Sequence, residues 1–190
     1  MKFWGRVKLG NRLIINLKKN LKIGILGGTF DPPHIGHLYI SKIALKKLKL
    51  DFVFWLVTKK NPFKKKPYLS ISKRIKLSKK ITKKTRKIKI QHLDELVKSK
   101  NTYDLLSFLK KNNKKIKLFF LMGEDNMIYL HKWKNWQKIP KLAKIVVFPR
   151  TGYSTKAFKS IAAKRFNKND WQYINFKKIN ISSSLIRKFW

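Results

Sequence analysis

Two residue classes are missing or scarce in this sequence. It contains no cysteine, and 8 Asp and Glu residues stand against 48 Lys and Arg. The absence of cysteine excludes disulfides, zinc thiolate sites and thiol catalysis, and it fits a reducing compartment, so we expect a cytoplasmic protein. No apolar run approaches the ~20 residues that a membrane-spanning helix needs, so no membrane partner is expected.

Two common nucleotide-binding patterns are missing as well. The sequence has no Gly-x-x-x-x-Gly-Lys, which excludes a P-loop enzyme, and no Gly-x-Gly-x-x-Gly after an apolar run, so a dehydrogenase is not supported.

What the chain does contain is a large apolar fraction. Of its 190 residues, 43% are hydrophobic, including 13 Phe and 6 Trp. That is enough for one folded domain, which we place at residues 21–190. Residues 1–20 are basic and contain no acid, and we interpret them as an N-terminal extension.

The formal charge of +40 leaves two interpretations open. A basic module that binds nucleic acid would explain it. The lysines are spread over the whole chain, however, which favours a general drift in composition over a dedicated binding surface.

From Leu21 onward, short β-type runs alternate with helical patterns, and this alternation predicts an α/β fold with a doubly wound parallel sheet. The expected strands are Leu21–Leu26, Phe52–Thr58, Lys87–Gln91, Ile116–Met122, Ile145–Phe148 and Trp171–Phe176. The expected helices are Gly36–Lys49, Ile71–Thr82 with Ser70 as N-cap, and Tyr103–Lys111 with Thr102 as N-cap. Ligands of such sheets bind at the carboxyl ends of the strands.

The segment Gly27–His37 lies at the first of these ends, between a strand and a helix. Its paired glycines allow another group to approach the backbone closely, and the following helix directs unpaired N–H groups at a bound anion. His34 and His37 fall on one face of the first helical turn. The segment therefore predicts a phosphate site.

A second such signal stands near the other end of the chain. Ser182, Ser183 and Ser184 precede an apolar residue, which is typical of a helix N-terminus. Arg187 follows about one turn later, where a guanidinium can make a forked contact with phosphate. On its own this pattern is also compatible with an ordinary capped helix and a solvated arginine.

Together the two segments resemble the signatures of the nucleotidyltransferase superfamily with the His-x-Gly-His motif. The resemblance implies a Rossmann-like fold and catalytic roles for His34, His37 and Arg187. Ser184 stands where the superfamily often has Thr. The positions implied to bind ATP are Gly27, Gly28, Thr29, Phe30, Gly36, Gly123, Asp125, Ser182 and Ser183.

Three further segments resemble the bacterial nicotinate-nucleotide adenylyltransferase family: Asn101–Leu106, Gly123–Asn126 and Leu130–Trp136. The resemblance implies that Thr102, Tyr103 and Trp133 bind nicotinate mononucleotide, with the indole stacked on the pyridine ring. Core packing is the alternative for Tyr103, Trp133 and Trp136. Asn61–Pro67 resembles the family's phosphate loop and adds Lys64, although this lysine and Arg74 have simple solvation as their alternative.

The implied reaction is direct transfer of AMP from ATP to nicotinate mononucleotide, with Mg²⁺ held mainly by phosphates and water. It is a step of NAD biosynthesis. Pantetheine-phosphate adenylyltransferases share the start of the first segment and the Ile-Ser-Ser-Ser of the second, and cytidylyltransferases share His-x-Gly-His. Neither explains the Thr-Tyr-Asp and Trp-Lys-Asn-Trp segments.

Overall fold

The protein is described here from a computed structural model. It describes residues 20–60, 66–113, 115–150, 152–176 and 181–189. Six strands form one sheet in the order β3-β2-β1-β4-β5-β6, and every neighbouring pair is parallel. This is the doubly wound arrangement expected from the sequence, and its order reverses between β1 and β4.

All six expected strands are present, with shifts of a few residues at their ends. They are β1 Lys22–Gly28, β2 Phe52–Val57, β3 Ile88–Gln91, β4 Lys117–Gly123, β5 Lys144–Phe148 and β6 Trp171–Tyr173. The register pairs Gly27 of β1 with Leu56 of β2, and Leu26 with Leu121 of β4. The glycine-rich end of β1 therefore lies between two buried strands.

The helices cover both faces of the sheet. They are α1 Ile35–Lys47, α2 Ile71–Thr82, α3 Asp94–Val97, α4 Thr102–Asn112, α5 Glu124–Tyr129, α6 Ser154–Phe158, α7 Ile161–Arg165 and α8 Ser183–Arg187. Two 3₁₀ helices, Leu130–Lys132 and Trp136–Lys141, connect α5 to β5. The four short helices α3, α5, α6 and α7 were not expected, because four to six residues are too few to show a helical period.

Two helix N-caps were predicted from the sequence, and the structure confirms one of them. Ser70 caps α2 as predicted, since its hydroxyl accepts the N–H of Lys73 at 3.3 Å. The prediction that Thr102 caps α4 is wrong. Asn101 is the N-cap, and its side-chain amide bonds Ser99 and Asp104. Thr102 is the first residue of the helix.

Two apolar clusters pack against the sheet. One lies under α4 and α5 and includes Phe120, Met127 and Leu130, and the other lies under α1 and includes Leu38, Trp55 and Phe148. Gly24 allows close packing within the second cluster, because a Cβ there would lie 2.8 Å from Leu50 and 3.0 Å from Val53, both members of it. None of the helices in the described part of the chain has the length and apolar character that a bilayer span requires.

Candidate active site

A cavity of about 840 Å³ opens at the carboxyl edge of the sheet, where the strand order reverses. Its walls come from the ends of β1, β4 and β5 and from the N-terminal turns of α1, α4 and α8. Most residues expected in the site line it: Gly27, Gly28, Thr29, Phe30, His34, Gly36, His37, Thr102, Gly123, Asp125, Trp133, Ser183 and Arg187.

The turn after β1 is held by aromatic packing. Phe30 has a left-handed backbone, with φ of 50°, and the residue is buried, with 2% of its surface exposed. That ring stacks on Trp55, with centroids 4.9 Å apart, and lies 4.8 Å from the ring of His37. A strained conformation of this kind persists where the surroundings impose it. The buried indole thereby fixes the turn that faces the cavity.

The rings of His34 and His37 lie against each other at the start of α1, with centroids 3.8 Å apart and planes tilted by 36°. The backbone N–H of His34 donates to Nδ1 of His37 at 3.2 Å. Since that nitrogen accepts, a neutral His37 carries its proton on Nε2 and can donate from there. Burial, followed by the nearby positive charge of Arg150, lowers the pKa of His34 to about 4. His34 is therefore neutral near pH 7.

Gly36 makes room for this arrangement. A Cβ at position 36 would lie 2.9 Å from Nδ1 of His34 and 3.1 Å from Cγ2 of Ile181. Only glycine lets the imidazole and the segment before α8 approach the first turn of α1 together. The buried Nδ1 of His34 has no hydrogen-bond partner among the described residues.

The chain's last described helix closes one side of the cavity. Ser183 donates to the carbonyl of Pro32 at 2.8 Å. Arg187 donates to the carbonyl of Asp31 and, at 3.2 Å, to the hydroxyl of Ser184, and its guanidinium lies 5.2 Å from the centre of the Tyr68 ring. The histidine pair and Arg187 are thus brought to one cavity although they are far apart in sequence.

Ser182 is not among the residues that line the cavity. Its hydroxyl caps α8 instead, accepting the N–H of Leu185 at 3.1 Å. A short side chain that bonds its own helix is positioned as a cap and turned to the backbone.

Two buried charged groups hold the loops around the cavity. Asp31 accepts the N–H groups of Tyr68 and Leu69 at 2.8 and 2.9 Å. Arg74 is 2% exposed and does not line the cavity. Its guanidinium donates to the carbonyls of Thr29, Thr58, Lys59 and Leu69 at 2.6 to 3.2 Å. Arg74 is therefore neither a solvated surface residue nor a direct contact, but ties three loops together.

The turn after β4 carries a second buried carboxylate network. Glu124 is fully buried and accepts the backbone N–H of Arg150 at 2.7 Å and the hydroxyl of Tyr173 at 2.9 Å. Beside it, Asp125 pairs with the guanidinium of Arg150 at 2.5 Å. The other carboxylate oxygen of Asp125 is buried and has no partner in the described part of the chain. A buried polar atom left without a partner is a frequent feature of binding sites.

The far end of the cavity is formed by α4 and the segment around Trp133. Thr102 and Trp133 both line it, and the Trp133 ring also packs edge-on against Phe120 at 6.1 Å. Tyr103 is not among the cavity residues and packs against the apolar cluster below α4. Trp136 packs on Phe166 at 5.4 Å, which confirms the core-packing interpretation for this residue.

One predicted site residue lies outside the described ranges, and one cavity residue is not predicted by the sequence. Lys64, and with it most of Asn61–Pro67, lies outside the described residues. The sequence does not predict Arg150 as a site residue, although its position shortly after β5 places it at the carboxyl edge of the sheet. In the described ranges, no group of three or more His, Asp and Glu side chains is arranged to hold a metal ion.

The comparisons with known proteins agree with this geometry. Residues 25–189 match the model of the cytidylyltransferase-like family. The chain is 49% identical over 171 residues to a Pelagibacter ubique protein named "Probable nicotinate-nucleotide adenylyltransferase", covering 90% of this chain and 94% of the relative. The chain belongs to the cytidylyltransferase-like family and, within it, to the nicotinate-nucleotide adenylyltransferases.

Other relatives agree with this assignment. A Ruegeria protein with the same name is 34% identical over an aligned region that covers 88% of this chain and 97% of the relative. A structure titled "Plasmodium falciparum nicotinic acid mononucleotide adenylyltransferase complexed with NaAD" matches with a TM-score of 0.74 at 21% identity, over 90% of this chain and 84% of the other. At that identity the match shows the fold. The chain is a nucleotidyltransferase of NAD biosynthesis, as its sequence predicts.

Proposed function

We propose that this cavity binds ATP and nicotinate mononucleotide and transfers AMP between them, giving nicotinate adenine dinucleotide and pyrophosphate. One observation supports placing the two substrates at different ends of the cavity. The rings of His34 and His37, 3.8 Å apart, share a cavity with Arg187 at one end and with Thr102 and Trp133 at the other. An anion site and an aromatic site in one cavity fit a nucleotide tail beside a second, ring-bearing nucleotide.

The triphosphate takes the end formed by α1 and α8. The N-terminal N–H groups of α1, a helix of 13 residues, favour an anion there. His37 donates from Nε2 to the α-phosphate, because its Nδ1 is occupied by the backbone of His34. His34 enters neutral and gains affinity for a proton when the negatively charged phosphates arrive.

Ser183 and Arg187 take the β- and γ-phosphates. In the structure both donate to the backbone of the turn that begins at Asp31, so they already lie against the phosphate end of the cavity. Arg150, which also lines the cavity, adds a further cation. The free oxygen of Asp125 suits a ribose hydroxyl of ATP, since a carboxylate only accepts hydrogen bonds.

Nicotinate mononucleotide takes the opposite end. The indole of Trp133 offers a flat face to the pyridine ring, and the first N–H groups of α4 at Thr102 favour its carboxylate. Tyr103 then supports α4 from the core side and makes no direct contact.

The chemistry is in-line attack by a phosphate oxygen of nicotinate mononucleotide on the α-phosphorus of ATP. The protein contributes positioning of the two nucleotides and stabilisation of the negative charge that develops on the phosphates. His37 and Arg187 donate to the oxygens where that charge appears. Because the described residues offer no carboxylate cluster, we infer that Mg²⁺ is held mainly by the phosphates and water and neutralises part of their charge. A cytoplasmic location stays a prediction.

The proposal is tested by pyrophosphate release from ATP and Mg²⁺ with three acceptors offered separately: nicotinate mononucleotide, nicotinamide mononucleotide and phosphopantetheine. We expect release with nicotinate mononucleotide and a weaker response to its amide. Release with phosphopantetheine alone, or with none of the three, would contradict the proposal.

A further inference from the structure

An ion pair stands at the pyridine end of the cavity. Nζ of Lys134 lies 3.1 Å from Oδ2 and 3.4 Å from Oδ1 of Asp104. Lys134 lines the cavity directly beside Trp133, and Asp104 belongs to the first turn of α4. The pair therefore joins the two walls between which the pyridine ring is proposed to bind.

Asp104 is fixed in place by further bonds. Its Oδ2 accepts the hydroxyl of Ser99 at 2.6 Å and the side-chain amide of Asn101 at 3.3 Å. The Ser99 bond, followed by Lys134 and Asn101, holds the pKa of Asp104 below its usual range. The carboxylate is therefore charged near pH 7.

A fixed negative charge in this position has a cost for an acidic ligand. The N-terminal end of α4 attracts anions, but Asp104 lies only two residues beyond Thr102, about 3 Å along the helix axis. Uncompensated, it would repel a second carboxylate bound at the helix start. Lys134 supplies the compensating charge.

We propose that Lys134 is a specificity-determining residue, which favours the acid over the amide of the pyridine mononucleotide by neutralising Asp104. This rests on the proposed function. Lys134 acts through Asp104 and is a positioning residue, not a catalytic one. Lys100 and Lys132 also line the cavity, so the cavity stays positively charged overall without Lys134. The proposal concerns only the local charge beside the first turn of α4.

The expected effect is moderate because the side chain of Lys134 is 54% exposed and solvent screens the pair. Replacing Lys134 by Met keeps the apolar stem and removes the charge. We expect Lys134→Met to lower kcat/KM for nicotinate mononucleotide about fivefold relative to kcat/KM for nicotinamide mononucleotide, with KM for ATP unchanged.

Three further variants make the mechanism specific. Lys134→Arg keeps the charge and should retain the selectivity. Lys80→Met removes an exposed lysine of α2, outside the cavity, and controls for the loss of one charge from a very basic chain. Asp104→Asn combined with Lys134→Met removes both charges, and it should return the acid-to-amide ratio to within about twofold of the parent.

The outcomes separate the two proposals. The role of the ion pair is refuted if Lys134→Met lowers kcat/KM equally for both acceptors. It is also refuted if the double variant does not recover the acid-to-amide ratio, because that result would indicate direct contact between Lys134 and the ligand. A parent enzyme that fails to adenylylate nicotinate mononucleotide refutes the proposed function instead. Thermal unfolding of each variant identifies any that lose activity by unfolding.

Discussion

The substitution Gly36→Ala separates the geometry of the histidine pair from the stability of the fold. Alanine favours helix over glycine by about 1 kcal/mol, so α1 itself gains from the change. The new Cβ, however, would stand 2.9 Å from Nδ1 and 3.0 Å from Cε1 of His34. The ring cannot move far without disturbing His37, whose centroid is 3.8 Å away.

We therefore expect kcat to fall by one to two orders of magnitude while the unfolding temperature changes by only a few degrees. The upper limit follows from the value of one well-placed donor, roughly 3 kcal/mol or about a hundredfold in rate. The assay is steady-state pyrophosphate release at saturating ATP and nicotinate mononucleotide, together with thermal unfolding of the same samples.

A double-variant cycle decides the cause. If the clash with His34 is responsible, Gly36→Ala costs little more once His34→Ala has removed the ring. Full additivity of the two losses would refute this explanation and point to Ile181, the other neighbour of the new Cβ at 3.1 Å. An active Gly36→Ala enzyme would refute a catalytic role for His34.

Four more outcomes are expected. His37→Ala should lower kcat at least about a hundredfold with little change in unfolding temperature. The control His131→Ala, at a residue outside the cavity, should stay active. An active His37→Ala enzyme would remove this histidine from the mechanism. Trp133→Ala should raise KM for nicotinate mononucleotide but not for ATP, and equal effects on both would make it a core residue. Arg74→Met should destabilise the fold by about 3 kcal/mol in denaturant titrations, because four carbonyls lose their donor; an unchanged midpoint contradicts this. Because the pKa of His34 is lowered from 6.5 to about 4 in the folded state, stability should fall as pH drops through that window, where only the unfolded chain takes up the proton. His34→Gln should lose this component, and an identical pH dependence in both proteins would count against it.

The sequence by itself determined the elements whose signals are local. Six strands could be located because buried parallel strands form short apolar runs, and α2 begins and ends as expected because Ser70 provides a cap next to a clear helical period. The phosphate turn was also local, since Gly27, Gly28 and the two histidines lie within one strand-to-helix connection. Resemblance to a family then supplied the roles.

Only the tertiary structure decided which side chains share the cavity. Ser183 and Arg187 meet the turn at Asp31 and Pro32 across more than 150 residues of chain, and no periodic pattern encodes a contact of that kind. The same holds for Arg74, whose burial under three loops distinguishes it from the many solvated cations of this chain. Ser183 and Thr102 line the cavity, whereas their sequence neighbours Ser182 and Tyr103 do not. Ser182 is turned to the backbone as the cap of α8, and Tyr103 packs on the apolar cluster below α4, so the folded chain as a whole decides which side chains face the cavity.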